Sequence, residues 1–368
     1  MRDPRVEALA KILVRYSANV QKGDECVIQS TTTAEPLIQA IYEEVLRAGG
    51  NAIFNISPSE ALPAFYELAE DEQLEYIADP VRWGYEQADV RFAILADANP
   101  RALSQADPAK QTRAQKARKP LLNASMARSA SGDYRWALTL FPTQAYASEA
   151  GMSLSAFEDF YYRACLAYDD DPVTAWERQS DMVKRLADWM EGKEEVHIQG
   201  PGGTDIKLNV AGRTWIPCYG SHNMPDGEFF TGPHEDATSG EVAFSFPAVY
   251  AGREVSGVRF RFDGGKVVEA SAERGEDYLH QTLDTDGGAR ILGELGIGTN
   301  YGIATGTKEI LLDEKIGGTV HMAIGASYPE SGGTNDSAVH WDMVCDLRHG
   351  GSITVDGEEL QRDGKFLV

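Results

Sequence analysis

Residues 25–56, ECVIQSTTTAEPLIQAIYEEVLRAGGNAIFNI, decide how the first half of the chain folds. Residues 25–30 are a short run of β-formers. Residues 34–48 then place their apolar side chains at helical spacing, until Gly49-Gly50 should stop the helix. The run NAIFNI at 51–56 returns to strand composition. A strand, a helix and a second strand in succession are the unit of a parallel sheet, whose crossover needs the helix.

The same alternation extends on both sides. Val6, Leu9, Ala10, Ile12, Leu13 and Tyr16 sit at helical spacing within 4–18, VRFAILAD at 90–97 reads as a third strand, and Tyr134–Leu140 as a further one. The basic segment AKQTRAQKARK, 109–119, is the solvated face of a helix rather than a binding patch. Residues 153–191 are helical with two acidic interruptions, one of them Asp169-Asp170-Asp171-Pro172. The first domain is therefore expected to span 1–191, an α/β layer with a largely parallel sheet.

After residue 191 the pattern changes to short alternating runs: VHIQG (196–200), DIKLNV (205–210), VAFSFPA (242–248), VRFRFDGGKVVEASAE (258–273) and SITVDG (352–357). DGGK at 263–266 sits between two such runs and is a hairpin signal. A β-rich α+β domain is expected over 192–368. Neither GGTD at 202–205 nor GGTN at 332–335 has the spacing of a phosphate loop, and no glycine fingerprint follows the first strand, so both read as plain turns.

Composition narrows the class. With 42% hydrophobic residues the 368-residue chain can bury a core, and no segment is of low complexity. Its 34 Lys+Arg against 57 Asp+Glu give a net charge of −23, which argues against nucleic acid or an anionic membrane as partner and suits cationic ligands. The first residues, MRDPRVEALAKILVRYSANV, lack the regions of a signal peptide, and no run approaches a membrane span; a soluble cytoplasmic protein is expected. Cys26, Cys165, Cys218 and Cys345 are scattered, form no C-x-x-C pair, and read as buried free thiols.

The chemistry gathers in the second half. Alternation over 337–344 puts His340 and Asp342 on one strand face and Trp341 and Met343 on the other. Such a pair can share a metal or simply hydrogen-bond at a surface. His321 lies in the strand-like GTVHMAIG (318–325), and Tyr328 opens the turn YPESGG that leads back toward His340, so strand, loop and strand could make the two histidines neighbours. Glu228 in NMPDGEFFTGP and Glu294 in LGELGIGTN are flanked by glycines and apolar residues. Each alone reads as an exposed loop glutamate; buried, each would need a counter-charge, and a metal is an adequate one.

Together, NMPDGEFFTGPHEDATSGEVAF (223–244), ELGIGTN (294–300), DEKIGGTVHMAIGASYPESGG (313–333) and NDSAVHWDMVCDL (335–347) closely resemble, in order, the thermostable metallo-aminopeptidase family that includes aminopeptidases S and T. The resemblance implies an enzyme that removes N-terminal residues from peptides at a two-metal site, with zinc or cobalt, manganese also being possible. Its ligand set falls on Glu228, Glu294, His321, Tyr328, His340 and Asp342. It further implies a homodimer whose active sites face an enclosed cavity, favouring short peptides with a free N-terminus.

Within that reading, Glu294 is expected to bridge or ligate both ions, Glu228 to ligate and serve as base, and Tyr328 either to ligate or to donate its hydroxyl to the tetrahedral intermediate. Glu235-Asp236 and Glu314 are candidate partners of the ligating histidines; His222, His234 and His349 read as surface groups. A chemically different alternative uses His321, His340 and Asp342 alone as the triad of a non-haem Fe(II) ring-cleaving dioxygenase, a group that looks similar to this family. Glu228 and Glu294 discriminate, because a mononuclear iron site has no need of both, and both are present.

Overall fold

The structure is a computed structural model that describes residues 3–368. The chain divides into two compact units, one comprising the chain through Glu177 with Gly220–Pro225, the other Arg178–Tyr219 with Asp226–Val368.

The first unit is built on a parallel sheet of β1 (Glu25–Thr31), β2 (Asn51–Ser57), β3 (Val90–Leu95) and β4 (Arg135–Leu140), in the order β2-β1-β3-β4. The two-residue strand Asn223–Met224 adds itself beside β4, also parallel. The crossover helix Glu35–Ala48 ends at Gly49, whose left-handed φ of 86° lets its N–H close the last turn. The helix expected over 4–18 begins as Pro4–Lys11 and continues with π-helical hydrogen bonding over Ile12–Ser17. The long helical stretch splits into Leu154–Ala164 and Pro172–Met190, because Pro172 can open a helix but not continue one.

The second unit contains two main antiparallel sheets, a larger and a smaller, and a two-stranded one, Ala248–Tyr250 with Arg253–Val255. The larger has eight strands, among them Glu195–Gly200, Thr204–Asn209 and the hairpin Arg259–Asp263 with Lys266–Ser271, turned by Gly264-Gly265. The run 242–248 is not one strand: Ser239–Ala243 ends before Pro247, which has no N–H for a ladder, and a new strand opens at Ala248. The smaller sheet comprises β5 (Ile216–Cys218), β6 (Glu228–Thr231), β7 (Leu292–Gly298), β8 (Thr319–Gly325) and β9 (His340–Asp346), in the order β9-β8-β7-β6-β5.

Alternation along these strands gives the smaller sheet two unlike faces. Phe229, Leu295, Ile297, Val320, Met322, Ile324, Trp341, Met343 and Cys345 enter one hydrophobic core with Val183, Leu186 and Met190 of the long helix. Glu228, Glu294, His321, His340 and Asp342 occupy the opposite face. All four cysteines are free thiols, and Cys218, unlike the other three, is only partly buried.

Candidate metal centre

Register decides which polar side chains meet. Glu294 on β7 faces Ala323 on β8, which faces Asp342 on β9; one step along, Gly296 faces His321, and Gly298 faces Glu228. The small residues in this grid make room for the large ones. A Cβ on Gly296 would lie 1.9 Å from Cε1 of His321, so the imidazole fits only because the strand beside it is bare.

Glu294 reaches the face through a β-bulge. Leu292 is buried in the core, and strict alternation would send Glu294 there too; the register shifts between Leu292 and Glu294, and the extra residue, Gly293, inverts the phase. The expectation of a loop glutamate is corrected for both carboxylates: Glu228 opens β6, Glu294 lies in β7, and each is 5% exposed.

Both imidazoles are held by backbone carbonyls. Nδ1 of His321 donates to the carbonyl of Glu314 at 3.1 Å, and Nδ1 of His340 to that of Ala326 at 2.9 Å. Nε2 of His321 is thereby turned toward Glu294 and Nε2 of His340 toward Glu294 and Asp342, while Glu228 lies on the Nδ1 side of His321. Nε2 of His321 lies 3.0 Å from Oε1 of Glu294, and Nε2 of His340 lies 3.5 Å from both Oε2 of Glu294 and Oδ2 of Asp342. Oε2 of Glu228 lies 3.6 Å from Nδ1 of His321. A carbonyl on the remote nitrogen is the usual device for orienting a metal-binding histidine.

Electrostatics is governed by burial and unbalanced negative charge. Burial pushes Glu228 up to about 8, with the Lys315 ammonium pulling the other way, and burial also raises Glu294 against its hydrogen bond with His321. Burial opposes charging His321, yet its bond to Glu294 and the charges of Glu228 and Asp342 lift it to about 10; His340 rises likewise to about 9 beside Asp342. Burial raises Asp342, but the His340 bond and neighbouring cations outweigh it and hold this carboxyl below its ordinary range.

The donor set fits a divalent cation. Oε2 of Glu228, Oε2 of Glu294 and Oδ1 of Asp342 are buried without any hydrogen-bond partner, a costly state for three carboxylate oxygens that a bound cation would relieve. Ligand atoms of Glu294, His340 and Asp342 lie within 4.8 Å of one another, as do those of Glu314, His321 and Asp342, and those of Cys218, Asp226 and Glu228. Oxygen and imidazole donors dominate, which suits zinc, cobalt or manganese.

Tyr328 stands at the mouth, 39% exposed, its ring packed on Phe230 and edge-on to His340 at 5.2 Å. Its loop is fastened by Glu235, which accepts from the N–H and hydroxyl of Thr334 (2.7 and 2.9 Å) and from Arg213 (2.7 Å). Glu235 thus clamps this loop and does not support a histidine, contrary to expectation, whereas Glu314 does so through its carbonyl. His234 bonds to Arg213 and to the Ala211 carbonyl. Sequence reasoning missed Asp226 and Lys315, both buried; the one available signal for Lys315 is a lone lysine after Asp313-Glu314, directly ahead of a histidine-bearing strand.

The chain matches the sequence model of the thermophilic metalloprotease family (M29) over residues 2–366. It is 28% identical to Aminopeptidase 2 of Geobacillus stearothermophilus, over 99% of this chain and 95% of that protein, and 28% identical to Aminopeptidase T of Thermus thermophilus, over 98% and 95%. Among solved structures, wild-type AmpT from Thermus thermophilus superposes with a TM-score of 0.85 at 26% identity, covering 99% of each chain. A 2,5-dihydroxypyridine dioxygenase from Pseudomonas putida shares the fold, with a TM-score of 0.59 at 12% identity over 99% of this chain and 97% of that one.

Proposed function

The chain belongs to the M29 thermophilic metalloprotease family, and from that premise we propose that it is a metal-dependent aminopeptidase whose polar sheet face holds two divalent ions. Aminopeptidases recur among its relatives. The observation that carries the two-ion reading is the set of orphaned carboxylate oxygens converging on two imidazoles. Asp226, Glu228, Glu294, Glu314 and Asp342 bring five carboxylates against the one ammonium of Lys315. Two divalent ions would leave that set neutral; one would leave two negative charges buried and uncompensated.

In this reading Glu228 and His321 would hold one ion and His340 and Asp342 the other, with Glu294 within reach of both histidines. When bound, zinc, cobalt or manganese supplies Lewis-acid polarisation of the scissile carbonyl and acidifies the attacking water. The remaining work belongs to side chains. Glu228 serves as a ligand through Oε2, since its Oε1 faces the Lys315 ammonium, and the carboxylates at the site attract the α-ammonium of a peptide. Tyr328, at the mouth, would donate its hydroxyl to the charge that develops on the carbonyl oxygen, or join the ligands.

Short peptides with a free N-terminus are the substrates, and a cytoplasmic homodimer is the working form, both on the family resemblance. No helix among the described residues is long and apolar enough to cross a membrane. The iron dioxygenase reading has the shared fold in its favour, but it leaves Glu228 and Glu294 buried without a task.

The test is hydrolysis of aminoacyl p-nitroanilides by chelator-stripped protein re-supplied separately with Zn²⁺, Co²⁺, Mn²⁺ or Fe²⁺. Activity should return with zinc, cobalt or manganese and vanish when the substrate's amino group is acetylated. A folded, iron-binding protein with no hydrolysis under any ion would point to the dioxygenase instead.

A further inference from the structure

Lys315 is a buried charge at the centre that neither binds an ion nor meets solvent. Its side chain is fully buried, Nζ lies 3.3 Å from Oε1 of Glu228, and it donates to the carboxylate of Glu314. Burying an ammonium is unfavourable unless it is paired, and here two carboxylates pair it. The backbone is anchored as well: the Lys315 N–H donates to the Leu312 carbonyl at 3.1 Å, and its own carbonyl accepts from Asn300 N–H at 3.0 Å. Gly298, opposite Glu228 in register, lets this segment lie directly on β7, since a Cβ there would meet the Ile316 carbonyl oxygen at 2.1 Å.

The consequence falls on Glu228. One of its oxygens is engaged by the ammonium, while Oε2 is buried with no hydrogen bond, on the side of His321. Glu314, the second partner of the ammonium, is the residue whose carbonyl orients His321. One cation thus braces the supports of both residues.

We propose that Lys315 is a positioning residue of the metal centre: its ammonium occupies Oε1 of Glu228, so that this carboxylate presents the single oxygen Oε2 to the ion it shares with His321. The proposal rests on the metal-centre reading above. It carries a sign that separates it from a purely electrostatic role. At a pH where Glu228 is ionised with or without the ammonium, a nearby positive charge only repels a divalent ion, so a lysine acting by charge alone weakens binding and its removal tightens it. A lysine acting by position strengthens binding, and its removal weakens it.

The experiment is a Co²⁺ titration, by calorimetry and by the visible absorption of bound Co²⁺, of stripped wild type, K315M, E228Q and the double variant E228Q/K315M. K315M should lose roughly 10- to 100-fold in affinity for one Co²⁺, the range expected for a residue supporting a metal ligand, with an altered spectrum and a wild-type circular dichroism signature. E228Q and E228Q/K315M should bind alike, because the lysine acts through Glu228. Wild-type or tighter affinity in folded K315M would overturn the proposal, as would a double variant tenfold weaker than E228Q. If K315M does not fold, the comparison within the E228Q background decides, since there the substitution leaves only the Glu314 carboxylate without its partner. Failure of the wild type to bind Co²⁺ would overturn the metal-centre reading itself.

Discussion

Glu294 reaches both imidazoles of the centre: one oxygen lies 3.0 Å from Nε2 of His321, and the other, 3.5 Å from Nε2 of His340, has no hydrogen bond. Glu294→Gln keeps its shape and removes its charge, so it should fold while losing roughly two to four orders of magnitude in turnover, as for loss of a metal-bridging group. Steady-state kinetics on ion-loaded protein checks this, and near-normal turnover would remove Glu294 from the chemistry. Individual residues differ in how openly the sequence displays them. His340 and Asp342 are visible because Trp341 and Met343 alternate with them, and an apolar face names its polar opposite. Lys315 is not, because a lysine reads as a surface residue until two carboxylates are found beside it in space, and one of those, Glu228, is 87 positions away.

At the level of elements, strand alternation sorts the two faces of β8 and β9 but fails on β7, where Leu292 and Glu294 share a parity and not a face. The bulge at Gly293 resolves the conflict, and nothing in LGELGIG announces which glycine is the extra residue. Its geometry explains the choice: a Cβ on Gly293 would lie 2.4 Å from the carbonyl oxygen of Gly325 and 2.6 Å from that of Ala326. Gly293→Ala must push β8 away or abandon the bulge, and abandoning it would turn the Glu294 carboxylate into the core beside Leu292. The variant should be less stable by roughly 1–3 kcal/mol, the usual cost of forcing a methyl into a packed site, and should bind Co²⁺ more weakly. Thermal unfolding and Co²⁺ titration together test it. Unchanged values in both would show that the bulge is not what holds Glu294 on the polar face.

For the whole molecule, the switch from helix–strand alternation to hairpin runs is legible along the chain, because each pattern persists over many residues. The return of Gly220–Pro225 to the first unit is not, since a two-residue strand beside β4 leaves no periodicity to read. Net charge is the molecular property that reaches furthest. At −23 the protein surrounds a carboxylate-rich centre with a negative field, which concentrates cationic substrates and repels anionic ones over a distance set by salt. Raising ionic strength from about 0.01 M to 1 M shortens the screening length from roughly 30 to 3 Å. kcat/KM should therefore fall several-fold for peptides beginning with arginine and rise for peptides beginning with glutamate, while kcat stays nearly constant because chemistry at the buried centre is little screened. Parallel salt responses for the two substrates would mean that the surface field plays no part in selecting them, and would leave the local carboxylates as the source of any preference.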